Sequence, residues 1–285
     1  MLKAYYQLTK PGVMYGNLIT TIAGFLFAAQ GTIDWQLFIA TTVGTALVIS
    51  SACVINNYLD QDIDSIMDRT KSRPLITGEV SPRGALIFGI VLGVTGLGLL
   101  VLLTNWLVVG VGVLGWVVYV WLYGALSKRR SIHGTLVGSL SGAAPILAGY
   151  VAVSAAIDAS AVILFLVLFF WQMPEFYSIA IFRREEYARA SVPVITVVKG
   201  IPHTIKLIAT YTVLLVASSL ALSIFGIAGW TYFVAMLVFG LYFIQLSIEG
   251  LLSTQPVFWA RKNFRFSLVY LLVFSALISV DWLLP

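Results

Sequence analysis

Apolar runs cut by short polar breaks repeat along the whole chain, near residues 12–30, 36–57, 84–104, 106–126, 134–153, 159–181, 204–225, 230–248 and 265–284. Crossing the hydrocarbon core of a bilayer as a helix takes about 20 predominantly apolar residues. The pattern therefore predicts an all-α membrane protein of about nine spans. Residues 1–285 then form one polytopic domain, with no soluble domain left over. The first run follows Lys3 and Lys10 and superficially resembles a secretory leader. Another apolar run follows Gln30 almost at once, so it reads as a retained first span.

The polar breaks are of two kinds. Those at Gln30–Trp35, Thr104–Asn105, Ser154–Asp158 and Phe225–Gly229 are short and nearly uncharged. The others are longer and basic, and all 17 lysines and arginines fall on their side of the chain. Positive charge gathered on alternate loops marks the cytoplasmic face. The chain is thus expected to be a multi-pass protein of the cell (inner) membrane, with its N-terminus in the cytoplasm and Pro285 outside.

Composition agrees, with 60% hydrophobic and only 10% charged residues, against about 25% charged in soluble domains. The net charge of +5 is accounted for by insertion, because the basic residues are dispersed over five short segments; no nucleic acid is expected as a partner. A single cysteine, Cys53, excludes an internal disulfide and Cys-pair metal motifs and reads as a small packing residue. Glycine pairs such as Gly89-x-x-x-Gly93 and Gly138-x-x-x-Gly142 fit close helix approach.

Charge concentrates in two long breaks, Tyr58–Arg83 and Phe182–His203. In the first, Asn56, Asp60, Asp64 and Asp68 recur every four residues. Each such step along a helix advances about 6 Å and turns only about 40°, so the acids share a face. Carboxylates stacked in this way repel, the more so near lipid, and call for a cation. Magnesium suits them, being held by one or two carboxylates together with substrate phosphates. Asn56, Asp60 and Asp64 are the expected ligands. Arg69, Lys71 and Arg73 follow at once and are suited to phosphate oxygens. The competing reading is a solvated loop whose charges pair among themselves, but Asn56 and Asp60 continue directly from an apolar run.

The second break follows Trp171-Gln-Met-Pro-Glu175. Glu175 is an acid more than one turn inside a predicted span, beside Pro174, which frees a backbone carbonyl. Such an intramembrane acid is a functional candidate by default. Glu185 and Glu186 with Arg183 and Arg184 form a second mixed cluster. Asn56 to Pro74 and Glu175 to Pro193 run over equal lengths, a faint parallel between two hairpins.

Asn56-x-x-x-Asp60-x-x-x-Asp64 followed by Met67-x-Arg69-Thr-x-x-Arg73-Pro74 resembles the first Asp-rich motif of the UbiA superfamily of membrane prenyltransferases. The likeness extends over nearly the whole length, through Thr9-Lys-Pro-Gly12, Tyr123 to Lys128-Arg129, Gly134 to Pro145, Trp171-Gln-Met-Pro174, Phe182-Arg183 to Tyr187, Val198-Lys-Gly200 and Trp259-Ala-Arg-Lys262. It is greatest to the members that farnesylate haem. The resemblance implies a nine-helix bundle around a cavity, Mg2+, and transfer of farnesyl from farnesyl diphosphate to a vinyl group of haem B. The product is haem O, destined for a terminal oxidase, so an oxidase or another haem-pathway protein is an implied partner besides the lipid bilayer.

Carried onto this chain, the resemblance makes Asn56, Asp60 and Asp64 the holders of magnesium diphosphate. Asp60, Asp64, Glu175 and Glu186 are the expected catalytic carboxylates, and Arg69, Lys71, Arg73, Lys128, Arg129 and Arg183 the expected diphosphate neutralisers. Glu175 stands where those members commonly carry His, and is expected to help bind magnesium or orient a water. Glu186 replaces an Asp. His133 and His203, at loop edges, are each able to ligate a haem iron. Three rival readings are a relative acting on an aromatic quinone precursor, a secondary transporter, and a non-catalytic haem-binding assembly factor. The first would ordinarily have an acid where Phe182 stands, the second needs ionisable groups near the midplane, and the third needs the histidines and not the acids.

Overall fold

The computed structural model describes residues 1–284; Pro285, expected on the far side of the membrane, lies outside them. A short helix α1 (Leu2–Leu8) precedes α2 (Pro11–Ala29), α3 (Trp35–Leu59), the short α4 (Gln61–Ile66), α5 (Pro82–Leu103) and α6 (Trp106–Val117). A π-helical stretch, Val118–Ser127, then leads into one turn, α7 (Lys128–Arg130). After these come α8 (Gly134–Gly142), α9 (Ala144–Ser154), α10 (Ala159–Phe182), the short α11 (Arg184–Arg189) and α12 (Ile195–Val198), and finally α13 (Ile201–Ile224), α14 (Trp230–Glu249) and α15 (Pro256–Val280). Among the described residues nine continuous helical segments are long and apolar enough to cross a membrane, with α6–α7 and α8–α9 each forming one. The final one starts at Pro256, well before the expected position near 265. Its first turns carry Arg261, Lys262 and Arg265, which the apolar pattern excludes but long side chains tolerate by reaching the boundary. Lys262 there lies 3.5 Å from Glu249, and the Arg261 guanidinium sits 5.5 Å from the centre of the Phe182 ring.

The two ends of the bundle are built differently. At the weakly charged end the three acids all serve helix termini. Asp34 accepts from Leu37 N–H, Asp158 from Ala161 N–H, and Asp281 from Gly229 N–H, while Asn105 caps α6 through Leu107 and Val108. Each satisfies backbone donors that a helix end leaves unpaired. Trp35, Trp106, Trp230 and Trp282 lie exposed at this same end, as a membrane-interface belt requires. The apolar outer faces of α5 (Ile87, Ile90, Val91, Val94) and α14 (Val234, Val238, Leu241) are bare, as lipid-facing surfaces are.

The helices close into a ring: α3 packs along α5, α2 along α9, α10 against α13 and α15, and α15 returns to α2. The α2–α9 crossing is close because Gly24 faces the Ile146 carbonyl while Gly149 faces the Thr21 carbonyl, and a Cβ at either would overlap that oxygen. This is the small-residue packing that stabilises helix pairs in lipid. At the other end the two long connections fold over the bundle. Ile63 and Met67 from the first pack with Ala190 and Val192 from the second in a small buried cluster. The element order places every lysine and arginine at this end.

Candidate functional site

The site begins where α3 stops. Its helix holds through Leu59, and Asp60 is both its C-terminal cap and the entry to α4, so Asn56, Asp60 and Asp64 keep nearly the expected facing. All three are buried, at 2%, 1% and 3% exposure. The period of four ends there. Met67 is extended, which turns Asp68 out to solvent, where it lies 2.9 Å from Lys71 and 2.7 Å from Arg189. Those neighbours, Lys71 foremost, hold its carboxyl below the ordinary value.

Each buried ligand candidate has its own cation. Lys10 Nζ donates to Asn56 Oδ1 at 2.5 Å, Lys128 Nζ lies 2.5 Å from Asp60 Oδ2, and Arg73 pairs with Asp64. Asp60 Oδ1 and Asn56 Nδ2 are buried without a hydrogen-bond partner. A buried carboxylate oxygen without a hydrogen bond is costly and marks a place where something positive binds. Among the described residues no three of His, Cys, Asp and Glu gather into a metal cage. The donor set of Asn56, Asp60 and Asp64 thus fits a hard cation that shares its shell with substrate oxygens.

Lys10 was not singled out by the sequence, though it belongs to the Thr9-Lys-Pro-Gly12 match. Its backbone is left-handed, with φ of 50°, at the N-cap of α2. This unfavourable conformation for a lysine accompanies an ammonium within reach of Asn56. Burial, the largest influence, lowers its pKa to about 8. A second unforeseen feature is the π-helical stretch ending at Lys128. Such segments are rare and cluster at functional sites. Here it brings Tyr119, Tyr123 and Lys128 to the same cavity, with Gly124 close enough to Asn56 that a Cβ would stand 3.2 Å from Nδ2.

That cavity, about 490 Å³, runs from this polar end into an apolar body lined by Val48, Ala148, Leu168, Trp171, Ile179 and Leu271. Its polar end carries four cations, Lys10, Arg69, Arg73 and Lys128, against two carboxylates, Asp60 and Asp64, an excess suited to an oligoanion. Glu175 also lines it, seven residues from the end of α10 and hence about 10 Å deeper. Next to it on α10, the Gln172 amide is fixed by the Ser139 and Leu168 carbonyls at 3.1 and 3.0 Å, in space that only a glycine at 142 leaves free.

Four expected site residues do not line the cavity. Lys71 is 61% exposed and turned to Asp68. Arg129 stands behind the site, donating to Asp62 at 2.6 and 2.7 Å and to the Leu59 carbonyl, with Asp60 Oδ1 3.6 Å away; it brings the Asp62 pKa down to about 2. Arg183 and Glu186 pair with each other at 2.5 Å, one turn apart in the second connection. From that connection Tyr187, Val192 and Val194 line the cavity, with the Arg69 guanidinium 5.9 Å from the Tyr187 ring centre. His133 and His203 are both exposed and neither lines the cavity, although Ile132 and Gly134 on either side of His133 do. Cys53 is buried and contributes to the cavity wall.

Comparison with known proteins agrees with this architecture. The model of the UbiA prenyltransferase family matches residues 17–272. The chain is 46% identical over 286 residues to the protoheme IX farnesyltransferase of Sodalis glossinidius (strain morsitans), covering 100% of this chain and 96% of that one. To the protoheme IX farnesyltransferase of Yersinia enterocolitica it is 44% identical over 285 residues, with the same coverage. Among solved structures, digeranylgeranylglyceryl phosphate synthase superposes with a TM-score of 0.82 at 22% identity, over 99% of this chain and 98% of that one. A UbiA homolog from Archaeoglobus fulgidus bound to GPP and Mg2+ gives 0.69 at 17% identity, over 97% and 100%. The chain belongs to the UbiA prenyltransferase family.

Proposed function

We propose that this protein transfers the farnesyl group of farnesyl diphosphate to a vinyl group of haem B, releasing diphosphate and giving haem O for terminal oxidase assembly. The observation that carries the reading is the cavity itself, a cation-rich polar end continuous with a long apolar body. One end matches a diphosphate and the other an isoprenoid chain and a porphyrin. The acceptor follows from the relatives, which are protoheme IX farnesyltransferases.

In this reading Arg69, Arg73, Lys128 and Lys10 bind the diphosphate and stabilise the charge that grows on it as the allylic carbon–oxygen bond breaks. Lys128 and Arg73, paired with Asp60 and Asp64, exchange part of that pairing for phosphate oxygens. Asn56, Asp60 and Asp64 would hold Mg2+, which supplies further charge neutralisation at the leaving group. The apolar wall keeps bulk water from the allylic cation until the vinyl carbon attacks. Arg129 supports the site from behind through Asp62 and the Leu59 carbonyl, the Arg183–Glu186 pair braces the second connection, and Lys71 takes no part. The chain acts as one unit, with the basic end in the cytoplasm and the membrane being the inner one. Purified protein supplied with haem B, farnesyl diphosphate and Mg2+ is expected to yield a farnesylated haem by mass analysis. Chelation of the metal is expected to abolish it. Release of diphosphate only with an aromatic acceptor would refute the haem reading.

A further inference from the structure

Three carboxylates line the cavity, and they are not equivalent. Asp60 and Asp64 lie at the polar end, paired to Lys128 and Arg73. Glu175 lies in the apolar body, and among the described residues its carboxyl has no ion pair and no hydrogen bond. The neighbouring turns of α10 offer Trp171, Phe176 and Ile179 to the same space, and the Gln172 amide is already engaged elsewhere. A carboxyl set in such surroundings without a partner ionises only where the reaction brings positive charge to it.

The proposed reaction does so. We infer that Glu175 is the catalytic base that takes the proton from the water ending the reaction, an assignment that rests on the haem-farnesylating reading. Cleavage of the allylic carbon–oxygen bond leaves its electron pair on diphosphate. The vinyl π pair then forms the new carbon–carbon bond, and positive charge moves to the vinyl carbon attached to the porphyrin. A water lone pair closes on that carbon. The O–H bond breaks with its electrons staying on oxygen, and the proton passes to the Glu175 carboxylate, giving the hydroxyethyl product. Before water arrives, the same carboxylate faces the cation and lowers its energy. Without Glu175 to take the water's proton, the cation instead loses a carbon-bound proton to the departing diphosphate, the C–H electron pair forming an alkene lighter by one water.

The test compares wild type, Glu175→Gln and Glu175→Asp, with haem B, farnesyl diphosphate and Mg2+, and measures hydroxylated product per diphosphate released. The ratio is expected to fall by about tenfold or more in Glu175→Gln, with the alkene making up the difference, and to lie between the two in Glu175→Asp. A purely structural glutamate would lower the amount of both products and leave the ratio alone, which would overturn the assignment. Should Glu175→Gln fail to accumulate, an unchanged ratio in Glu175→Asp overturns it equally. No farnesylated haem from the wild type would overturn the function and this role together, whereas product formed without a shift in ratio overturns the role alone.

Discussion

Replacing Asp60 by Asn removes one charge from a buried pair and leaves the other behind. Lys128 is 15% exposed and its Nζ lies 2.5 Å from an Asp60 oxygen that is itself 1% exposed. Taking away one partner of a buried pair costs about 3–5 kcal/mol, because the remaining charge is uncompensated. The lower figure applies, since Arg129 is another cation held near Asp60 but has Asp62 and the Leu59 carbonyl as other partners. At about 2–4 °C per kcal/mol, a loss of about 3 kcal/mol lowers the melting temperature by about 6–12 °C. Replacing both members by neutral side chains removes the stranded charge, so Asp60→Asn with Lys128→Met is expected to recover most of that loss. Activity follows a different course: both variants are expected to lose prenyl transfer by about 100-fold or more, since the groups that stabilise the leaving diphosphate are gone. The assay is thermal unfolding of detergent-purified protein alongside diphosphate release. A single variant that melts like wild type, or a double variant no more stable than the single, would refute the reasoning.

Lys10→Met should raise the KM for farnesyl diphosphate about tenfold, as read by initial rates, whereas Lys71→Ala, out in solvent, should leave kcat and KM within twofold or so. Gly149→Ala sets a methyl group against the Thr21 carbonyl and is expected to destabilise by about 1–3 kcal/mol or more, seen as a lower melting temperature; an unchanged one would deny the close α2–α9 crossing. The Asp68 carboxyl is held below its unfolded value by Lys71 and Arg189. Whatever it adds to tying the two connections together is therefore present above about pH 4 and lost as pH falls below that. Hydrogen exchange of residues 184–192 in wild type and Asp68→Asn should differ at neutral pH, converge in acid, and converge also in high salt.

Span count, the one-sided placement of basic residues and the Asn56–Asp60–Asp64 face were all legible in the sequence. They depend on local periodicity and on the cost of charge in lipid, which act within a single helix or loop. Asp68 departs from that face because periodicity does not announce that α3 gives way at Asp60 and that α4 ends at Ile66. The last helix runs longer than its apolar pattern because its first turns carry charges that only the boundary geometry accommodates.

What stayed hidden was long-range. Lys10 and Asn56 are far apart in sequence and meet only because α1 and the left-handed turn fold back over α3. Lys128 reaches Asp60 through a π-helical stretch that no propensity foretells, and Arg183 and Glu186 satisfy each other while Tyr187 takes the cavity. The sequence by itself determined a polytopic helical bundle with its chemistry at one end, because hydropathy and charge are read by the membrane span by span. Tertiary structure alone decided which cations meet which acids, and that Glu175 stands without one, because that choice is made by side chains from different helices converging on a single cavity.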